Sequence, residues 1–216
     1  MRTQFDTERE ELAAAARRLA AERLVLGTAG NVSLRAGDEH VVISPTGIAL
    51  ADLRADQVAV VDLQGRPAED SPAPTSELDL HLGAINRFGA GAVVHTHSPI
   101  ATALSCVVDE VPIVHYTMLL LGGAVPVAPY RTFGTGELAA TTLDALEGRR
   151  AALMASHGAV VHAGDVDEAV ELALLLEWAC EVYWRAVQVG RPRVLDEAEQ
   201  RAVVEAVVER GYGGAG

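Results

Sequence analysis

An α/β domain with a mixed, largely antiparallel central sheet is the fold class this sequence predicts. Three observations carry that prediction. Apolar runs of strand length recur along the chain, among them Val41-Val-Ile43, Val58-Ala-Val-Val61, Ala92-Val-Val94 and Ala151-Ala-Leu-Met154. Some of these runs follow one another across a turn alone, as in hairpins, whereas others are separated by a helix, as in crossovers. At 216 residues and 50% hydrophobic, the chain can bury a sizeable core. No repeat or linker divides it, so residues 1–216 read as one domain with flexible ends at 1–7 and 211–216.

The elements follow in order. Thr7-Glu8-Arg9-Glu10 has capping-box spacing and opens an amphipathic helix to about Val25, with Leu12, Ala16, Leu19 and Ala20 on one face. Gly27-Thr-Ala-Gly-Asn-Val-Ser33 is a loop of small residues entering a strand. Its glycines let a ligand approach the backbone, and Thr28, Asn31 and Ser33 add side-chain donors. The strand at Val41 ends in a second such turn, Ser44-Pro-Thr-Gly47, and Val58–Asp62 is the next strand. Pro72-Ala-Pro-Thr-Ser76 leads stiffly into a helix from about Glu77 to Arg87, capped by Thr75 or Ser76. Hydroxyls, free N–H groups and the positive end of the helix dipole meet at that corner, which suits an anion.

After the strand at Ala92, Pro99 to Cys106 reads as a helix and Val111–Tyr116 as extended. Leu119-Leu-Leu-Gly-Gly123 ends in a double-glycine stop. Val125-Pro-Val-Ala-Pro129 reads as an edge strand because of its prolines. A loop at Tyr130–Thr135 precedes a helix from Glu137 to Glu147. Ala151–Ala155 and Ala159–Val161 are strands on either side of Ser156-His157-Gly158. Val166 to Val189 is the longest helix, and its Trp178, Cys180 and Trp184 read as core or subunit contacts. Asp196-Glu-Ala-Glu199 caps a last helix to Arg210.

A net charge of −13 and a pI near 4.9 exclude nucleic acid as a partner, since a phosphate backbone needs a basic face. A small anionic substrate remains compatible, because backbone amides and a metal can meet its charge locally. The N-terminus has no apolar signal core and no run reaches transmembrane length, so neither membrane nor export is expected and the protein reads as cytoplasmic. Cys106 and Cys180 lack metal spacing, lie among apolar neighbours and read as buried free thiols.

The chemistry centres on Ala92-Val-Val-His95-Thr-His97. Residues i and i+2 of a strand share a face, so His95 and His97 point together and both can reach one divalent ion, zinc above all. A lone histidine at a strand end is ordinarily just a polar residue entering a loop; the pair is not. His157, closing another apolar run, offers a third ligand, and Glu77 a fourth. Three histidines with a movable carboxylate make an open site, the arrangement of a catalytic rather than a structural metal. His81, four residues after Glu77, reads instead as a surface or internally satisfied histidine.

Taken together, Gly27-Thr-Ala-Gly-Asn-Val-Ser33, Ser44-Pro-Thr-Gly47, Pro74-Thr-Ser-Glu77, Val94-His-Thr-His97 and Ser156-His-Gly158 resemble the class II aldolase/adducin family in order and spacing. Ile113-Val-His-Tyr116, Gly122-Gly123, Ala128–Thr135 and the late Tyr212 sharpen the resemblance toward the sugar-phosphate aldolases of that family. It implies a three-layer α/β/α fold and a homotetramer with active sites at subunit interfaces. It implies one zinc ion per chain on His95, His97 and His157, with Glu77 as resting fourth ligand and catalytic acid/base. Substrate phosphate would lie among Thr28, Asn31, Thr46, Gly47, Thr75 and Ser76. Tyr116 would be a catalytic group donated to a neighbouring subunit, with Phe133 and Tyr212 on the aldehyde side.

The implied reaction is reversible cleavage of a phosphorylated ketose similar to L-fuculose 1-phosphate into dihydroxyacetone phosphate and an aldehyde. Two positions depart from the family pattern: Thr75 stands where serine is usual, and Arg131 where a small residue is common. A 4-epimerase is disfavoured, because Glu77 replaces its aspartate and no acid follows His115-Tyr116. Dehydration or decarboxylation of a sugar phosphate needs the same zinc site and stays open. A non-enzymatic adducin-like domain would have no reason to keep the three histidines with Glu77.

Overall fold

The computed structural model describes residues 5–211. Three strands come first, β1 (Asn31–Ala36), β2 (His40–Ile43) and β3 (Ala59–Asp62), each antiparallel to the next. The chain then crosses through helix α2 (Leu78–Phe88) and returns as β4 (Ala92–Thr96), which pairs antiparallel with the free side of β1. β5 (Glu110–Val111), β6 (Val125–Ala128), β7 (Ala151–Met154) and β8 (Gly158–Ala163) complete one eight-stranded sheet in the order β3-β2-β1-β4-β8-β7-β6-β5. Only β6 and β7 run parallel, and the link between them is a crossover through helix α4 (Gly136–Ala145), as parallel neighbours require. The sheet is therefore mixed and largely antiparallel.

Helices cover both faces. Alternate residues of β4 show how: Ala92 and Val94 join a core with α1 (Asp6–Ala21), α3 (Pro99–Ser105) and α5 (Val166–Val189), whereas Val93 joins a second core with α2 and α4. Period-two alternation in a strand buried on both sides yields those two cores, and with them three layers. Close contacts fix the centre of the sheet. A side chain at Gly91, just before β4, would meet the Gly164 carbonyl at 1.8 Å, so only glycine allows β4 to start there. Asp165 caps α5 by accepting from the Glu168 N–H, and Asp196 with Glu199 forms the expected capping box of α6 (Glu197–Glu209).

Several expectations need correction. The capping box at Thr7 does not form: α1 begins at Asp6 with Phe5 in the left-handed region as its cap, which puts Thr7 inside the helix. α1 ends at Ala21 because Arg23 turns left-handed (φ 62°), sending Leu24 back into the core. β6 is not an edge strand. The two-residue β5 covers it and places Pro126 opposite Glu110, a ladder too short for one missing N–H to matter. Val111–Tyr116 is strand-paired only at Val111, although His115 is still extended, and Tyr116–Leu121 is a 3₁₀ helix stopped by Gly122 at φ 87°. Cys180 is buried, but Cys106 is exposed, because it caps α3 at the point where the chain leaves the core. Trp178 and Trp184 are each 41% exposed, so they are not core residues of this chain. Among the described residues no helix is long and apolar enough to cross a membrane.

Candidate metal centre and active site

Strand register builds the site. Asn31, the first residue of β1, lies opposite His95 of β4, and His95 in turn lies opposite Val160 of β8. The β7–β8 turn therefore ends beside the exit of β4, and it carries His157. Ser156 in that turn adopts φ 54°, a conformation that costs a serine about 1–2 kcal/mol and aims the next residue at β4. The ring centroids of His95, His97 and His157 are 4.8, 4.9 and 5.0 Å apart pairwise. One ligand nitrogen from each lies within 4.8 Å of the others.

Proton placement shows what this cluster is for. His95 is fully buried, and its Nδ1 lies 2.9 Å from the Ala159 carbonyl, which can only accept. Nδ1 therefore carries the hydrogen, and Nε2 presents a lone pair to the cluster. That lone pair is 2.9 Å from His97 Nε2 and 3.1 Å from Glu77 Oε2. Glu77 is 7% exposed; its Oε1 lies 3.4 Å from His157 Nε2 and has no hydrogen-bond partner. Burial, followed by the charge of neighbouring rings, pushes the His97 pKa down to about 4 and lowers that of His157. Burial alone would raise the Glu77 carboxyl, but the His95 ring, the Asn31 hydrogen bond and the His157 ring hold it below its ordinary value. His97 and His157, both disposed toward the neutral form, thus converge with His95 Nε2 on a buried, ionised carboxylate. A divalent cation satisfies all of them at once, and the residues present fit one.

The cluster opens onto a cavity of about 480 Å³. Its walls carry Thr28, Asn31, Thr46, Gly47, Thr75 and Ser76 together with Glu77, His97 and His157, so the glycine-rich turns meet the histidine cluster. Tyr130, Arg131 and Phe133 line it as well. Glu77 is itself the residue that precedes α2, and Thr75 Oγ1 accepts its N–H at 3.3 Å. Gly30, at φ 86°, is confined by Val25 Cγ1 at 2.6 Å and the His95 carbonyl at 3.0 Å from any added Cβ. The backbone there comes close to the metal strand only because no side chain intervenes.

Tyr116, expected to serve a neighbouring subunit, does not line the cavity of its own chain; it is 54% exposed, and its ring lies 4.6 Å from that of His115, tilted by 33°. Tyr212 lies outside the described residues. Asn31 reaches the cavity, but its amide also donates to Glu77 Oε2 at 2.9 Å and accepts from the His81 ring. Of the two readings of His81, surface or internally satisfied, the second holds, and the ring stands behind the carboxylate through Asn31. The i to i+4 spacing of Glu77 and His81 was the available signal.

Residues 10–184 match the family model of the class II aldolase and adducin N-terminal domain. The chain belongs to the class II aldolase and adducin family. A relative from Rhodospirillum rubrum, named 5-methylthioribulose-1-phosphate/5-deoxyribulose-1-phosphate aldolase, is 39% identical over 91% of this chain and 89% of its own length. The 5-deoxy-D-ribulose 1-phosphate aldolase of Bacillus thuringiensis is 34% identical over 95% and 97%. A solved structure of L-fuculose 1-phosphate aldolase superposes with a TM-score of 0.86 at 31% identity, covering 93% of this chain and 95% of that one. The class II aldolase fold of this chain is the α/β fold of those neighbours, and the chain is an enzyme of the lyase class. Class II aldolases use a divalent metal, which the three histidines here can hold.

Proposed function

We propose that the chain is a zinc-dependent aldolase that reversibly cleaves a 1-phosphorylated ketose into dihydroxyacetone phosphate and an aldehyde. The convergence of His95, His97, His157 and Glu77 at the end of a cavity lined by hydroxyls and backbone amides carries this reading. Zinc, when bound, supplies a Lewis acid beside the ketone, where negative charge gathers as the bond between C3 and C4 breaks. Ionised Glu77 takes the proton of the C4 hydroxyl, the electron pair of the broken bond stays on C3, and Glu77 returns the proton there. Its unpartnered Oε1 supports that role. Thr28, Asn31, Thr46, Gly47, Thr75 and Ser76 hold the phosphate at the N-terminus of α2, where the dipole favours an anion despite the acidic chain.

The aromatic lining supports a choice of substrate. Tyr130 and Phe133 present aromatic surface to the cavity, which Arg131 also lines. An aldehyde ending in a methyl or methylthio group suits such a wall better than one carrying a further hydroxyl. Relatives at 39% and 34% identity are named for substrates of that kind. We therefore take a 5-deoxy- or 5-methylthio-pentulose 1-phosphate as the substrate in preference to L-fuculose 1-phosphate. The active enzyme is a single-domain, cytoplasmic homotetramer, in which Tyr116 of one subunit serves the aldehyde oxygen of another and Tyr212 closes the aldehyde side with Phe133. Exposed Tyr116, Leu120, Trp178 and Trp184 support burial against neighbouring chains.

The test is release of dihydroxyacetone phosphate from the three ketose phosphates. The pentulose phosphates should be favoured in kcat/KM by at least about 10-fold. A chelator should abolish turnover and zinc restore it. Absence of dihydroxyacetone phosphate from all three would overturn the aldolase reading, and loss of water in its place would identify a dehydratase.

A further inference from the structure

A buried polar chain runs away from the site behind Glu77, and two of its members, His81 and Ser33, have no part in the chemistry above. His81 is completely inaccessible, one helical turn after Glu77 on α2. Its Nδ1 lies 2.7 Å from Ser33 Oγ, and its Nε2 is hydrogen-bonded to Asn31 Oδ1. Asn31 Nδ2 in turn donates to Glu77 Oε2 at 2.9 Å. Asn31 and Ser33 are alternate residues of β1, so they share the face against α2; Val32 between them belongs to the opposite core.

The direction of this chain follows from its end. An ionised carboxylate only accepts, so Asn31 must offer its NH₂ to Glu77. Its oxygen is then left for His81, which must donate from Nε2. With Nε2 the donor, Nδ1 lies 2.7 Å from the Ser33 hydroxyl, and a ring carrying one hydrogen accepts there from that hydroxyl. Each choice is forced by the one before it, and only one tautomer of His81 satisfies all four groups. Turned the other way, the Asn31 oxygen would face the carboxylate.

We infer that His81 is a positioning residue, which acts through Asn31 to fix the orientation of the Glu77 carboxylate. Oε2 is pinned by the Asn31 amide, leaving Oε1, the oxygen without a partner, for the reacting proton. The inference rests on Glu77 being the acid/base of the proposed aldolase. Without the ring donor, the Asn31 oxygen loses its partner and the amide is held from the Glu77 end alone, so the carboxylate is held less firmly.

Two measurements test this. Heteronuclear NMR of the zinc-loaded wild-type enzyme at neutral pH should show His81 as the Nε2–H tautomer. The Nδ1–H tautomer would reverse the chain and overturn the inference, whatever the reaction proves to be. Kinetically, His81→Phe should lower kcat by about 10- to 100-fold with little change in KM or zinc content. His81→Gln retains a donor near Nε2 and should recover most of that loss. In a Glu77→Gln background, His81→Phe should cost almost nothing more. A full additional loss in that background, or equal losses for Phe and Gln, would make His81 merely structural. Should Glu77→Gln itself retain full turnover, the role of Glu77 fails, while the tautomer still reports on the chain.

Discussion

Gly158 illustrates how much of the site is decided by single atoms. A Cβ there would meet the Thr96 carbonyl at 2.3 Å and lie 3.2 Å from both His95 Cε1 and His97 Cδ2. Gly158 opens β8 directly after His157, so the close approach of β8 to β4 and the spacing of all three imidazoles depend on its missing side chain. Gly158→Ala should therefore weaken metal binding without touching a ligand, by about 10-fold or more. Gly190→Ala, whose added Cβ meets nothing within 4 Å, serves as the control. Metal content after dialysis against a graded chelator, read by emission spectrometry, checks this; equal retention by both variants would show that the strand spacing is not critical.

At the scale of elements, β8 carries a second histidine with a measurable consequence. His162 points to the α2 side, stacks on Phe88 at 5.1 Å and lies 2.9 Å from the Arg149 carbonyl through Nε2. Burial lowers its pKa, outweighing the hydrogen bond that raises it, and the Arg150 charge lowers it further. The unfolded chain thus takes up a proton on this residue at a higher pH than the folded chain does. Its contribution is fully present above the ordinary histidine pKa of about 6.5 and is lost as pH falls through the lower folded value. His81 acts in the same sense over a wider window, from 6.5 down to about 3. The urea midpoint of the wild type should accordingly fall between pH 7 and pH 5, before the carboxylates titrate. A His162→Gln variant should show a shallower fall over that interval. Parallel curves would remove His162 from the acid response.

Across the whole molecule, surface apolarity is concentrated on the later helices. α6 buries no residue and packs chiefly on the 3₁₀ helix at Tyr116–Leu121, leaving Val204, Val207 and Val208 accessible, while α5 exposes Trp178, Trp184, Val187 and Val189. Such a helix gains little by packing on its own chain, and its stability is better explained by contact with another. Tyr116 lies on the same region and away from the cavity of its own chain. Mixing inactive Glu77→Gln chains with Tyr116→Phe chains should therefore restore part of the activity, since hybrid assemblies contain sites with one intact copy of each residue. Hybrids verified by mass spectrometry and still inactive would place both groups in one subunit.

The histidine trio was legible from residue order alone, because period-two geometry puts His95 and His97 on one face and apolar runs mark where strands end. Turn chemistry likewise marks the loops at Gly27–Ser33, Ser44–Gly47 and Pro74–Glu77 that contribute to the cavity wall. These signals are local, and local sequence carries them. What lies next to what is not local. That β4 sits between β1 and β8 follows from pairings across 60 residues or so, set by burial on both sheet faces, and this alone brings Asn31 opposite His95. The same long-range packing covered β6 with β5, left Cys106 in solvent and drove His81 to zero exposure. A helical histidine four residues from a glutamate has the same spacing whether it faces water or a polar pair on the sheet. Only the layer packed against α2 decides which, because the direction of a buried hydrogen-bond chain is imposed by the groups at its ends.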